Sequence, residues 1–179
     1  MQKELPVRKK IRLQGYDYSQ AGYYFITVCV QNGHEMLGKV VGNAALGVPY
    51  IELTDIGEIV KQYIENINIV YNGEIRVDNY VIMPNHIHMI ITIYKNETSN
   101  CKDGTPRAAF PTKAKIPKVV NSLKGLTTKK IGFSIWQDRY HDRIIRDKTE
   151  YQNKCRYIDE NPAKWAEDRY FVKEVSNEQ

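Results

Sequence analysis

The sequence predicts an α+β fold of the ferredoxin-like, split βαβ type. The expected order is β-α-β-β-α-β-α: an antiparallel sheet with helices on a face, and one added C-terminal helix. Three observations carry this. Runs rich in β-branched and aromatic residues alternate with runs that are apolar at helical spacing. Two strand-like runs are separated only by Pro84-Asn85, a turn signal that makes them a hairpin. A last helical run follows the final strand. The length of 179 residues fits one domain, residues 1–179, built on a single core.

The first strand is Tyr23–Gln31, YYFITVCVQ. The stretch 32–53 is punctuated by Gly and Pro and has room for a small hairpin. Thr54 is an N-cap for a helix whose Ile56, Ile59, Val60, Tyr63, Ile64 and Ile67 recur on one face. Ile75–Met83 and His86–Ile93 form the central hairpin. Residues 95–113 are polar, broken by Gly and Pro, and read as a mobile loop. A helix over Pro117–Ile131 carries Val119, Leu123 and Leu126 on one side, with Pro117 in the first turn where proline is tolerated. Ile135–Ile145 is a fourth strand. The last helix opens at Asp147 with Glu150 three residues on, a capping-box pattern, and runs to Asn161, where Pro162 stops it.

Composition narrows the function. Formal net charge is +5, a balance that favours phosphate-bearing partners. Arg8, Lys9, Lys10 and Arg12 make residues 1–13 a basic arm. The 3 cysteines, Cys29, Cys101 and Cys155, are scattered and form neither a disulfide framework nor a CxxC pair. No apolar signal core opens the chain and no 18 apolar residues run together. The expectation is a cytoplasmic protein without a membrane partner. Tyrosine outnumbers phenylalanine 13 to 4, and tyrosine offers both a stacking face and a polar tip. Tyr16, Tyr18, Tyr23 and Tyr24 are base-stacking candidates.

His86 and His88 flank Ile87 on a strand, so both imidazoles leave the same face, about 7 Å apart at Cα. They can converge on one cation, although surface or cross-strand histidines give the same spacing. Ile87, Met89, Ile91 and Ile93 take the opposite face and enter the core. Two histidines with an oxygen ligand and open positions suit a catalytic ion.

On the last helix, Tyr151, Cys155 and Ile158 form a core stripe. Glu150, Lys154, Tyr157 and Asn161 form a polar stripe about 100° away. Tyr157 and Asn161 are one turn apart and reach the same point. Asn161 can supply a carbonyl oxygen to a metal, and Tyr157 a phenolic nucleophile. Lys154 and Lys164 can hold phosphates or lower the phenol's pKa. Tyr151 is about 15 Å from Asn161 along the axis and fits badly. Strand alternation places Gln137, Arg139, His141 and Arg143 together as a candidate DNA-binding face, with Trp136, Asp138 and Tyr140 on the packed side.

The strings YVIMPNHIHMII, IWQDRYHDRIIRD and YI-x-x-NPAKW, in this order, resemble the REP-associated tyrosine transposases of the wider HUH single-tyrosine class. The resemblance spans about Arg12 to Trp165. It implies that His86 and His88 are the two HUH metal ligands, that Asn161 is the third, and that Tyr157 is the nucleophile. It also implies a Mg2+- or Mn2+-dependent endonuclease and strand-transferase acting on single-stranded DNA with palindromic hairpins, through a 5′-phosphotyrosine link. Both cis monomers and trans homodimers occur in that class, and a nucleoid-associated bacterial protein is the expected setting. Two alternatives remain open from the sequence. One is a domesticated or inactive RRM-like nucleic-acid-binding module without cleavage activity, which would need exposed aromatics on its two central strands. The other is a metallohydrolase that uses water.

Overall fold

A computed structural model of the protein describes residues 20–42, 47–94 and 115–171. The basic arm with Arg8, Lys9, Lys10 and Arg12, the aromatic residues Tyr16 and Tyr18, and the 95–113 loop lie outside the described residues. The elements are β1 (Gly22–Cys29), β2 (Gly38–Val41), β3 (Tyr50–Leu53), α1 (Asp55–Val70), β4 (Ile75–Met83), β5 (His86–Ile93), α2 (Lys115–Ile131), β6 (His141–Ile145) and α3 (Lys148–Glu160). The main sheet runs β4-β5-β1-β6, with each neighbouring pair antiparallel. With β2 and β3 set aside as a separate small hairpin, this is the split βαβ arrangement that the periodicity predicts.

Two caps fix helix entry. Thr54 Oγ1 accepts the Gly57 N–H at 3.1 Å, as its position predicts. Asp147 Oδ1 accepts the Glu150 N–H at 2.8 Å, but the Glu150 carboxylate does not return to the cap residue. It takes the Arg146 N–H at 3.0 Å and the Arg143 Nε–H at 2.7 Å, which ties α3 to β6. The capping box is therefore half realised.

The two sheet faces bury different sets. Tyr24, Ile26, Val28, Ile87, Met89, Ile91 and Ile93 pack under α1 and α2. Phe25, Ile90, Ile145 and Ile158 pack under α3, with Tyr151 and Cys155 against them. Every residue of β5 is buried, because helices cover both of its faces. Tyr24 belongs to the core at 0% exposure and stacks on no base, whereas Tyr23 is exposed and meets the Tyr151 ring edge-on.

The fourth strand is a correction. It covers His141–Ile145 only, and Ile135–Tyr140 makes one isolated bridge, Trp136 to Val30. Lys124 from α2 explains the break. Its ammonium binds the carbonyls of Gln137 at 2.7 Å and of Asp138 and Arg139 at 3.3 Å, which turns them away from a ladder. Gln137 and Arg139 thus stand exposed outside the ladder that carries His141 and Arg143. His141 and Arg143 keep theirs, opposite Thr27 and Phe25 of β1.

The Trp136 indole N–H donates to Thr127 Oγ1 at 2.8 Å, and both side chains are buried. Thr127→Val is expected to cost about 1–3 kcal/mol in urea unfolding, because it strands that donor, whereas Thr127→Ser should cost less.

Candidate active site

The Pro84-Asn85 turn delivers His86 and His88 to the α3 face of the sheet. Asn85 is the anchor. Its amide nitrogen donates to the carbonyls of Gly33 at 3.1 Å and Tyr170 at 2.8 Å. Its Oδ1 is then left to accept from His86 Nδ1 at 2.9 Å, so the Nε2 of His86 carries the lone pair. His88 Nδ1 meets the Thr27 hydroxyl at 2.8 Å. The two Nε2 atoms face each other at 3.0 Å. Burial pushes His86 down to about 4 and His88 well below the ordinary imidazole range, the latter helped by its neighbour His86. Both rings are neutral near pH 7.

α3 lays its polar stripe over these rings. The Tyr157 hydroxyl is 3.3 Å from His88 Nε2, and its ring meets Phe25 edge-on. Lys154 places its ammonium over the faces of Phe25 at 4.4 Å and Tyr157 at 5.3 Å. Asn161 closes the helix and is 3% exposed. Its Nδ2 donates to Asp168, and its buried Oδ1 has no hydrogen-bond partner among the described residues. Lys164 instead pairs with Glu160 at 2.6 Å on the surface.

Asp168 is the residue that sequence reasoning missed. Beyond Pro162, a 3-10 segment (Pro162–Glu167) folds the chain back, with Trp165 buried against His86. Asp168 Oδ2 then accepts from the Tyr157 hydroxyl at 3.1 Å and from Asn161 at 3.3 Å. Burial, then Asp168, pushes the Tyr157 phenol up to about 12. The Asn161 amide and the Arg169 charge pull it the other way without prevailing. A cleft of about 280 Å³, lined by Tyr157, Asn161, Asp168 and Arg169 among others, opens beside the hydroxyl.

These residues fit a divalent cation. Two neutral imidazole nitrogens 3.0 Å apart can share a hydrogen bond, and the same spacing suits two donors on one ion. Donors at about 2.1 Å from one octahedral ion stand about 3.0 Å apart. The partnerless Asn161 Oδ1 is the kind of oxygen such an ion takes. The arrangement can hold a metal beside a phenol, and all of its groups come from one chain. An RRM-like platform is not what this face offers, since Phe25 is covered by α3 and histidines occupy the neighbouring strand.

No protein-family profile matches the chain. An uncharacterized protein of Haemophilus influenzae is 34% identical over 175 residues, which covers 92% of this chain and 93% of the relative. Among solved structures, a REP-associated tyrosine transposase bound to a REP hairpin superposes with a TM-score of 0.55 at 20% identity, over 82% of this chain and 69% of that one. A Deinococcus radiodurans structure provisionally assigned as a transposase covers 83% of this chain and 95% of its own at 16% identity, with a TM-score of 0.43. No helix among the described residues is long and apolar enough to cross a membrane.

Proposed function

Because the chain belongs to one family with the Haemophilus influenzae protein and has the fold of the REP-associated tyrosine transposase, we propose that it cleaves and rejoins single-stranded DNA at hairpins with Tyr157 as nucleophile. The observation that carries this is the Tyr157 hydroxyl 3.3 Å from His88 Nε2, within a single chain. His86, His88 and Asn161 would hold Mg2+ or Mn2+. When bound, such an ion polarises a phosphoryl oxygen and makes phosphorus more electrophilic.

The chain's own groups do the rest. The phenolic oxygen of Tyr157 forms the new bond to phosphorus, and the bond from phosphorus to the 3′ oxygen breaks. The products are a 5′-phosphotyrosine and a 3′-hydroxyl, and attack by a 3′-hydroxyl reverses the step. Asp168 orients the phenol toward the metal side through its hydrogen bond. Lys154 has no carboxylate in ion-pair range among the described residues, and it supplies positive charge for phosphate beside the Tyr157 ring. Arg143, though paired with Glu150, adds to the same face. Lys164 extends the DNA contact further out, and Arg8, Lys9, Lys10 and Arg12 add positive charge for the same partner. The placement of His86, His88, Tyr157 and Asn161 together in one chain supports a site assembled in cis.

The test is an oligonucleotide carrying a hairpin and a single-stranded flank, incubated with the protein and Mn2+. A denaturing gel is expected to show a protein–DNA adduct that keeps a 3′ label and releases a 5′-labelled fragment. If the 5′ label stays with the protein, or no adduct forms, the proposed polarity or the proposed chemistry is wrong.

A further inference from the structure

The metal-dependent reading above assigns the ion three neutral donors. An imidazole binds a metal through the lone pair of a neutral ring, and Asn161 is an amide. Arg169 and Lys154 add positive charge around His88. A divalent ion in such a place keeps its full charge in a poorly solvated setting unless an anion accompanies it.

Resting on that reading, we propose that Asp168 is the anionic fourth ligand, which completes a set of two nitrogens and two oxygens. Its carboxylate oxygen and one nitrogen from each of His86 and His88 lie within 4.8 Å of one another. The carboxylate is placed by backbone on both sides. The Asp168 N–H donates to the Trp165 carbonyl at 3.0 Å, and Asp168 Oδ1 accepts the Tyr170 N–H at 2.7 Å. The Tyr170 carbonyl is in turn held by Asn85, the residue that orients His86. The Tyr170 ring lies 4.5 Å from that of His86. One amide therefore aligns a nitrogen ligand and the segment bearing the carboxylate. Two oxygen donors tilt the set toward Mg2+ and Mn2+. The carboxylate also makes seating of residues 168–171 depend on the ion. Oδ2 already accepts from Tyr157 and Asn161, so ligation through it competes with the bond that holds the phenol.

The test is Mn2+ binding to the full chain without DNA, followed by the electron-paramagnetic-resonance signal of unbound Mn2+. Wild type, Asp168→Asn and His88→Ala are compared, each with its metal-free melting curve. Asp168→Asn keeps one oxygen for the Tyr170 N–H and turns its amide nitrogen toward the Tyr157 hydroxyl, which can accept. It is expected to fold, melting slightly below wild type, yet to bind Mn2+ at least about 10-fold more weakly. In wild type, Mn2+ is expected to slow amide hydrogen exchange over residues 164–171. If His88→Ala loses Mn2+ while Asp168→Asn binds as wild type, Asp168 is only a hydrogen-bond acceptor and this inference fails alone. If His88→Ala also binds normally, the histidine site fails with it. Unchanged exchange in wild type on adding Mn2+ overturns the proposal even where a variant does not fold.

Discussion

Tyr157→Phe is expected to lower cleavage of hairpin-bearing single-stranded DNA by at least about 10⁴-fold and to remove the covalent adduct, while DNA binding persists. The substitution deletes one oxygen. That oxygen touches Asp168 and His88 at the surface of the site, and the residue is 38% exposed. The ring keeps its contacts with Phe25 and Lys154, so stability should move by only about 1 kcal/mol. Gel-shift and single-turnover cleavage assays on the same preparation separate the two effects. Persistent cleavage by the phenylalanine variant would mean that water is the nucleophile and that the metal centre is a hydrolase.

The second large effect is remote from the chemistry. A Cβ on Gly57 would stand 1.9 Å from the Leu37 carbonyl oxygen, so α1 has no room for alanine there. Gly57→Ala is expected to destabilise the fold by on the order of 3 kcal/mol, despite alanine's better helix propensity. Leu37 cannot yield cheaply. It is buried, its carbonyl accepts the Thr54 N–H at 3.1 Å, and its N–H donates to the Pro84 carbonyl at 2.9 Å. Pro84 is two residues from His86. The variant should therefore lose Mn2+ affinity along with stability, which thermal melting and a metal titration would measure together.

Where local chemistry decides, the sequence was enough to read the structure. Thr54 and Asp147 announce their helices because a side-chain oxygen beside three unpaired N–H groups has one obvious use. His86 and His88 share a face because a strand alternates, and Tyr157 and Asn161 share one because a helix turns. The failures have a common cause. Ile135–Tyr140 alternates like a strand, yet an ammonium from α2, 11 to 16 positions earlier in the chain, takes its carbonyls. Asp168 follows a proline and a 3-10 turn, where no periodicity marks a side chain's direction. Its place is set by Trp165 and by an amide from Asn85, far away in sequence. Tertiary partners of this kind leave no local pattern.

The covering of β5 on both faces has a consequence for how the protein is made. The β4–β5 hairpin is local and carries both histidines, but the contacts to Tyr157 and Tyr170 span 69 and 85 positions. A chain emerging from the ribosome presents its histidine pair long before the residues that complete the site. Until α3 docks, the growing polypeptide holds its two histidines on an uncovered sheet face, without Tyr157, Asn161 or Asp168 beside them. On the proposed reading, an unfinished copy would not cut DNA, and cleavage would arrive only with the last packing step.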